Sequence, residues 1–140
     1  MPKYKKILIV DDDADDVEIF CEAIAEIDPA IKCDSAENGE EALKLLRNAF
    51  YDQPDFIFLD LNMPRMNGKQ CLAELKKDPQ LKDIPVIVYT TSKLDEDFQE
   101  TSRLGAMLFI TKPTRLTKLV EAITFVLSKH HDFVSKPDKD

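Results

Sequence analysis

Tryptophan is absent from this chain of 140 residues, which holds only two histidines, three glycines and three cysteines, and whose 19 Lys and Arg are outnumbered by 27 Asp and Glu. Each shortage removes a class of protein. With glycine only at 39, 68 and 105, neither G-x-G-x-x-G nor G-x-x-x-x-G-K-[ST] occurs, which excludes nucleotide sites of those types. A formal net charge of −8 argues against nucleic acid as a partner. Met1 to Lys6 is basic, but the apolar run Ile7 to Val10 meets Asp11 after four residues, too soon for a signal-peptide core or a membrane span. A cytoplasmic location is expected, with no membrane contact. Cys21, Cys33 and Cys71 are odd in number and lack paired spacing, so they read as reduced, buried thiols. No Cys/His cluster suits zinc, and the adjacent His130 and His131 cannot share one helix face and read as solvated.

What is present is a soluble globular composition, 44% hydrophobic and 33% charged, at a length that fits one domain. Ile7 to Val10, Phe56 to Leu59, Val86 to Tyr89 and Met107 to Ile110 are short, unbroken apolar runs, as expected of strands buried on both faces. Ile31 to Ser35 is half polar and suits a sheet edge. Between the runs, Val17, Phe20, Cys21, Ile24 and Ile27 recur at helical spacing. So do Ala42, Leu45, Leu46 and Ala49, then Leu72 and Leu75, then Leu116, Leu119, Val120, Ile123, Val126 and Leu127. Asp95 to Leu104 is a helix with a thin apolar face. Asn38-Gly39 and Asn67-Gly68 read as turns and Leu104-Gly105 as a helix C-terminus. The sum is (βα)5, an α/β three-layer, doubly wound parallel sheet. Strand order 2-1-3-4-5 places the polar second run at an edge. The domain is expected over 1–128, with 129–140 a short fraying tail.

Ligands bind such sheets beyond the carboxyl ends of the strands, where the strand order reverses. The residues there are Asp11, Asp12 and Asp13 after the first run, Asp60 after the third, Thr90, Thr91 and Ser92 after the fourth, and Lys112-Pro113 after the fifth. One cap and two first-turn acids account for part of the Asp11 to Asp16 cluster. Asp60 ends the strand beside the first, so at least three carboxylates converge, and like charges that close call for a hard divalent cation. A few carboxylates completed by water or phosphate suit Mg2+. A carboxylate beside such a cation is a ligand or a nucleophile, and phosphoryl transfer also needs donors on the phosphoryl oxygens. Thr90 offers a hydroxyl and Lys112 an ammonium.

With Asp12, Asp60, Thr90 and Lys112 in this order, the sequence resembles the receiver domains of two-component response regulators over essentially its whole length. The matching stretches are Ile7 to Asp12, Phe58 to Gly68 (with Asp60, Asn62 and Pro64), Pro85 to Thr90, and Gly105-Ala106 leading to Thr111-Lys112-Pro113. The resemblance implies a flavodoxin-like, CheY-like fold with Asp60 as phosphoacceptor. It further implies Mg2+ on Asp12, Asp60 and the Asn62 backbone carbonyl, with Asp11 acting through water. By the same resemblance Thr90 and Lys112 hold the phosphoryl oxygens, a cis Lys112–Pro113 peptide aims the lysine inward, and Phe109 takes the place of the aromatic switch. Thr91 stands where the family prefers Ala or Gly, and Asp13 adds an acid that points away. The Thr90-Thr91-Ser92 triplet and acidic start are similar to stand-alone, phytochrome-associated receivers.

So short a segment after the last helix leaves no room for an output domain, so action through protein partners is expected. These are a sensor histidine kinase or phosphotransfer protein, a downstream protein, and a second copy of the chain. The resemblance places the contact on the fourth helix, fifth strand and fifth helix, in a two-state equilibrium biased by the phosphoryl group. Such a switch promotes its own phosphorylation without being a turnover enzyme. Two alternatives remain at this point. A haloacid dehalogenase-like phosphatase would use Asp11 as nucleophile in Asp11-x-Asp13, leaving Asp60 unexplained and lacking the acidic pair expected after Lys112. A pseudo-receiver would keep the fold and never carry phosphate.

Overall fold

A computed structural model describes residues 4–135, with side chains described as far as 129. The apolar runs form five parallel strands: β1 (Lys6–Val10), β2 (Lys32–Ala36), β3 (Phe56–Leu59), β4 (Val86–Thr90) and β5 (Leu108–Thr111). They alternate with helices α1 (Ala14–Ile27), α2 (Gly39–Leu46), α3 (Gly68–Lys77), α4 (Asp95–Leu104) and α5 (Leu116–Ser135). The order across the sheet is β2-β1-β3-β4-β5, the doubly wound arrangement that the sequence predicts.

Both faces of the sheet are buried, which is why its central strands read as unbroken apolar runs. Ile7 and Ile9 of β1 and Phe56 and Phe58 of β3 pack against Phe20 and Ile24 of α1 and Ile123 and Val126 of α5. Leu8, Val10, Ile57 and Leu59 turn the other way, onto Ala42 and Leu46 of α2 and Leu72 and Leu75 of α3. The polar β2 is an edge, as expected. Asp34 on it accepts a 2.7 Å hydrogen bond from the Tyr51 hydroxyl, and Lys6 Nζ lies 4.1 Å from the centre of the same ring. In α4 the only buried residue is Thr101, matching the thin apolar face of that segment.

Three local expectations change. Asn38 and Asn67 are helix N-caps, accepting from the N–H of Glu41 and Gln70, so the two Asn-Gly pairs start α2 and α3 and do not form separate turns. The third glycine ends a helix as expected: Gly105 closes α4 at φ 107°, a left-handed conformation that favours glycine. Cys21 and Cys33 are joined in a disulfide, with Cα atoms 5.7 Å apart, instead of being separate thiols. The crossover lays α1 across the edge strand β2, a proximity that twelve residues of sequence separation do not encode. Cys71 is the free, buried thiol, pushed up to about 12 by burial. Finally, α5 runs to Ser135 instead of stopping near 128. The side chains of His130 and His131 and the segment 136–140 lie outside the described residues.

Candidate functional site

The carboxyl ends of β1, β3, β4 and β5 meet in one pocket. Asp11 follows β1 with 2% of its surface exposed, and Asp60 follows β3 at 6%. Asp12 is exposed. One carboxylate oxygen from each of these three lies within 4.8 Å of the other two. The Asp60 Oδ1 accepts from the Leu61 N–H at 2.8 Å and, at 3.5 Å, from the Asn62 N–H. Backbone donors therefore orient one oxygen of Asp60. The rest of its carboxylate faces Lys112, whose Nζ is 3.5 Å from Asp60 Oδ2.

Lys112 follows β5 and continues the ladder, its N–H donating to the Thr90 carbonyl at 2.7 Å. Its ammonium binds Asp11 Oδ2 and Asp16 Oδ2, both at 2.7 Å. The peptide bonds of the described residues are all trans, so the lysine is aimed by this backbone bond and by two carboxylates, not by a cis Lys112–Pro113 bond. Burial alone would pull the Lys112 ammonium down, but its bonds to Asp11 and Asp16 and the charge of Asp60 outweigh it and hold the group above its usual 10.5. Burial raises the Asp11 carboxyl, the Asp60 charge adds to the rise, and hydrogen bonds from Lys112 and the Asp13 N–H oppose it. The Tyr89 hydroxyl, whose ring centre is 5.4 Å from Lys112 Nζ, is pushed up to about 12 by its burial.

Thr90 ends β4 and is fully buried; its hydroxyl accepts from the Ser92 N–H at 3.3 Å. The loop it opens is tied down by Ser92, whose hydroxyl donates to Asp97 at 2.6 Å. Asp97 in turn pairs with Lys69 at 2.6 Å, joining the start of α4 to the start of α3. Asp12, Asn62, Asn67, Lys69 and Asp97 line an open, polar cleft of about 490 Å3 beside the carboxylates. Gly68 sits under Asp60: a Cβ there would collide with the Asp60 carbonyl oxygen and the Leu61 Cα. Thr91 is exposed. Phe109 is half-buried on the α4 side of β5, its ring centre 5.8 Å from that of Phe98, beside an apolar cavity of about 230 Å3.

Asp11, Asp12, Asp60 and Lys112 thus share one pocket, with Thr90 on the same rim and Phe109 on the neighbouring face. Asp13 points away, as expected, capping α1 through the N–H groups of Asp15 and Asp16. Reading the sequence for first-turn acids conceals Asp16, because complementing the helix dipole explains it without reference to Lys112. The Lys69–Asp97–Ser92 chain carries no motif at all; it is visible only once α3 and α4 lie side by side. As a donor set, three carboxylates open to water through Asp12 fit a hard divalent cation, the class that oxygen ligands select.

Residues 7–124 match the family model described as the response regulator receiver domain, and the chain belongs to that family. It is 36% identical over 85 residues to the response regulator Rcp1 of Synechocystis sp. (strain ATCC 27184 / PCC 6803 / Kazusa), covering 61% of this chain and 58% of that one. To the probable C4-dicarboxylate response regulator DctR of Bacillus subtilis (strain 168) it is 32% identical over 121 residues, covering 86% of this chain and 51% of that one. The chain therefore spans little more than half the length of these relatives. Among solved structures, the phosphorylated cyanobacterial phytochrome response regulator RcpA superposes with a TM-score of 0.81 at 35% identity, covering 89% of this chain and 91% of that one. The Mn(2+)-bound form of Rcp1 gives 0.74 at 31%, covering 89% and 92%. The CheY-like fold and the two-component response-regulator class follow, and the phosphatase reading is not favoured.

Proposed function

We propose that this receiver is a phosphorylation switch in which Asp60 accepts the phosphoryl group. One observation carries the reading: Asp60 lies within 4.8 Å reach of Asp11 and Asp12 on one side and 3.5 Å from Lys112 on the other. An Asp60 oxygen attacks the phosphorus of a kinase phosphohistidine or of a small acyl phosphate. The new O–P bond forms as the N–P bond, or the acyl O–P bond, breaks and the leaving group takes its electron pair. Lys112 donates to the phosphoryl oxygens as negative charge collects there, and the Thr90 hydroxyl turns toward them. Asp12, Asp60 and the Asn62 carbonyl would hold Mg2+, with Asp11 reaching it through water, and the ion would supply positive charge to neutralise the incoming group. The Mn(2+)-bound Rcp1 and phosphorylated RcpA support both halves of this assignment.

Slow hydrolysis of the aspartyl phosphate resets the switch, so the chain is a signalling component and not a turnover enzyme. Movement of Thr90 toward the phosphoryl group vacates space into which Phe109 packs. The face formed by α4, β5 and α5 then reads the state out to a downstream protein or a second copy of the chain. Among the described residues no helix is long and apolar enough to cross a membrane, and a sensor kinase partner in the cytoplasm is the setting we propose.

Incubation with Mg2+ and acetyl phosphate, followed by intact-mass measurement, tests the reading. One added phosphoryl group is expected in the native chain and none in Asp60→Asn or in EDTA. Equal labelling of native and Asp60→Asn protein overturns the assignment, and no labelling of either supports the pseudo-receiver.

A further inference from the structure

The ammonium of Lys112 is held by two carboxylates of different kinds. Asp11 is part of the acidic trio, with a fully buried side chain. Asp16 is not: it lies in α1, three residues beyond the Asp13 cap, with its side chain 34% exposed and its oxygen 2.7 Å from Lys112 Nζ. Against these two bonds, Asp60 at 3.5 Å is beyond a good charge-assisted hydrogen bond. A lysine has three N–H donors on a flexible stem, so where its ammonium rests is decided by which carboxylates pull on it. Here the pull of Asp16 is directed toward α1 and away from β3.

We propose that Asp16 is a positioning residue that parks the Lys112 ammonium on the α1 side of the pocket and so keeps the Asp60 carboxylate free for the cation and for attack. The inference rests on the phosphoacceptor reading of Asp60 given above. Without the charge of Asp16, Asp11 alone opposes the attraction of Asp60, and the ammonium shifts from the α1 side toward Asp60. An Asp60 oxygen engaged by an ammonium has less electron density to offer a cation or a phosphorus atom. Lys112 then competes for the group it serves after transfer.

Asp15 provides the matched control: it is the preceding residue, exposed, of the same charge, and its N–H donates to the Asp13 cap. Three variants of the full chain, Asp15→Asn, Asp16→Asn and Asp16→Glu, are compared with the native protein by Mg2+ titration, with backbone amide shifts as readout. Labelling by acetyl phosphate is then timed at saturating Mg2+. Asp16→Asn is expected to weaken Mg2+ binding and slow labelling by roughly tenfold beyond Asp15→Asn, the order of one hydrogen bond to a charged group. Asp16→Glu, which retains the charge, is expected to fall closer to the native protein. Equal effects of Asp15→Asn and Asp16→Asn overturn the inference, since both remove the same charge from the same helix.

A crystal structure of metal-free Asp16→Asn decides the geometry independently. Lys112 Nζ within hydrogen-bonding distance of Asp60 is expected, and an unchanged separation overturns the parking role. If the native chain neither binds Mg2+ nor takes a phosphoryl group, it is the phosphoacceptor reading that fails, while the position of Lys112 in that crystal structure still decides the role of Asp16.

Discussion

Lys112 and Asp60 illustrate how opposite stability effects arise within one pocket. The Lys112 side chain is 9% exposed, and it faces Asp11, whose side chain is wholly buried, and Asp60 at 8%. Removing the cation leaves buried carboxylates without their counter-charge, whereas removing Asp60 relieves repulsion with Asp11. In EDTA, Lys112→Met is expected to destabilise the chain by about 3 kcal/mol, as for other broken buried pairs. Asp60→Asn is expected to stabilise it by about 1 kcal/mol, the worth of a modest change in like-charge repulsion. Urea denaturation of both variants checks the pair of signs, and destabilisation by Asp60→Asn would count against a crowded acidic pocket. The raised Asp11 carboxyl works in the same direction: the folded chain binds its proton more tightly than the unfolded chain does. Its contribution therefore declines as pH rises from 3.8 through the raised value.

Between elements there are two cross-links, one ionic at the rim and one covalent toward the amino ends of the strands. Lys69 of α3 binds Asp97 and Glu100 of α4, both at 2.6 Å, and Asp97 also accepts from Ser92. The bond from Lys69, and then that from Ser92, lowers the Asp97 carboxyl below its ordinary 3.8. A depressed carboxyl contributes stability that is fully present above the unfolded value and is lost as pH falls through the folded one. Lys69→Met should therefore reduce the loss of stability below about pH 4, the unfolded carboxylate value. Urea midpoints at pH 6 and pH 3 test this, and an identical acid loss in variant and native protein contradicts the clamp. The covalent link joins Cys21 of α1 to Cys33 of β2, closing a short loop. Cys21→Ser is expected to cost about 2–3 kcal/mol relative to the oxidised chain, as for loops of this size. The same loss should appear when the native protein is reduced, and a denaturation midpoint indifferent to reductant would refute it. Neither link is legible in the sequence. The cysteine spacing carries no motif, and Lys69 and Asp97 belong to segments whose contact depends on how two helices lie on one sheet face.

For the molecule as a whole, the topology was the most legible feature, because a sheet covered on both faces demands unbroken apolar runs. The residue after each run is then forced onto a single rim. That rule places Asp11, Asp60, Thr90 and Lys112 on the rim from the sequence alone. It failed where a role depends on side-chain direction: Asp16 reads as a helix-start acid and turns out to hold Lys112 at 2.7 Å. It failed also at the end of α5, where His-rich and Lys-rich composition reads as a tail but the backbone stays helical to Ser135. The central claim, that this rim exists to carry phosphate on Asp60, is tested most directly by locating the adduct. The chain is treated with acetyl phosphate and Mg2+, the acyl phosphate is reduced with borohydride, and the peptides that carry residues 11–16 and residue 60 are read by mass spectrometry. Homoserine at position 60, absent when Mg2+ is withheld, is the predicted result. Homoserine at position 11, 12 or 16 with residue 60 unchanged would contradict it.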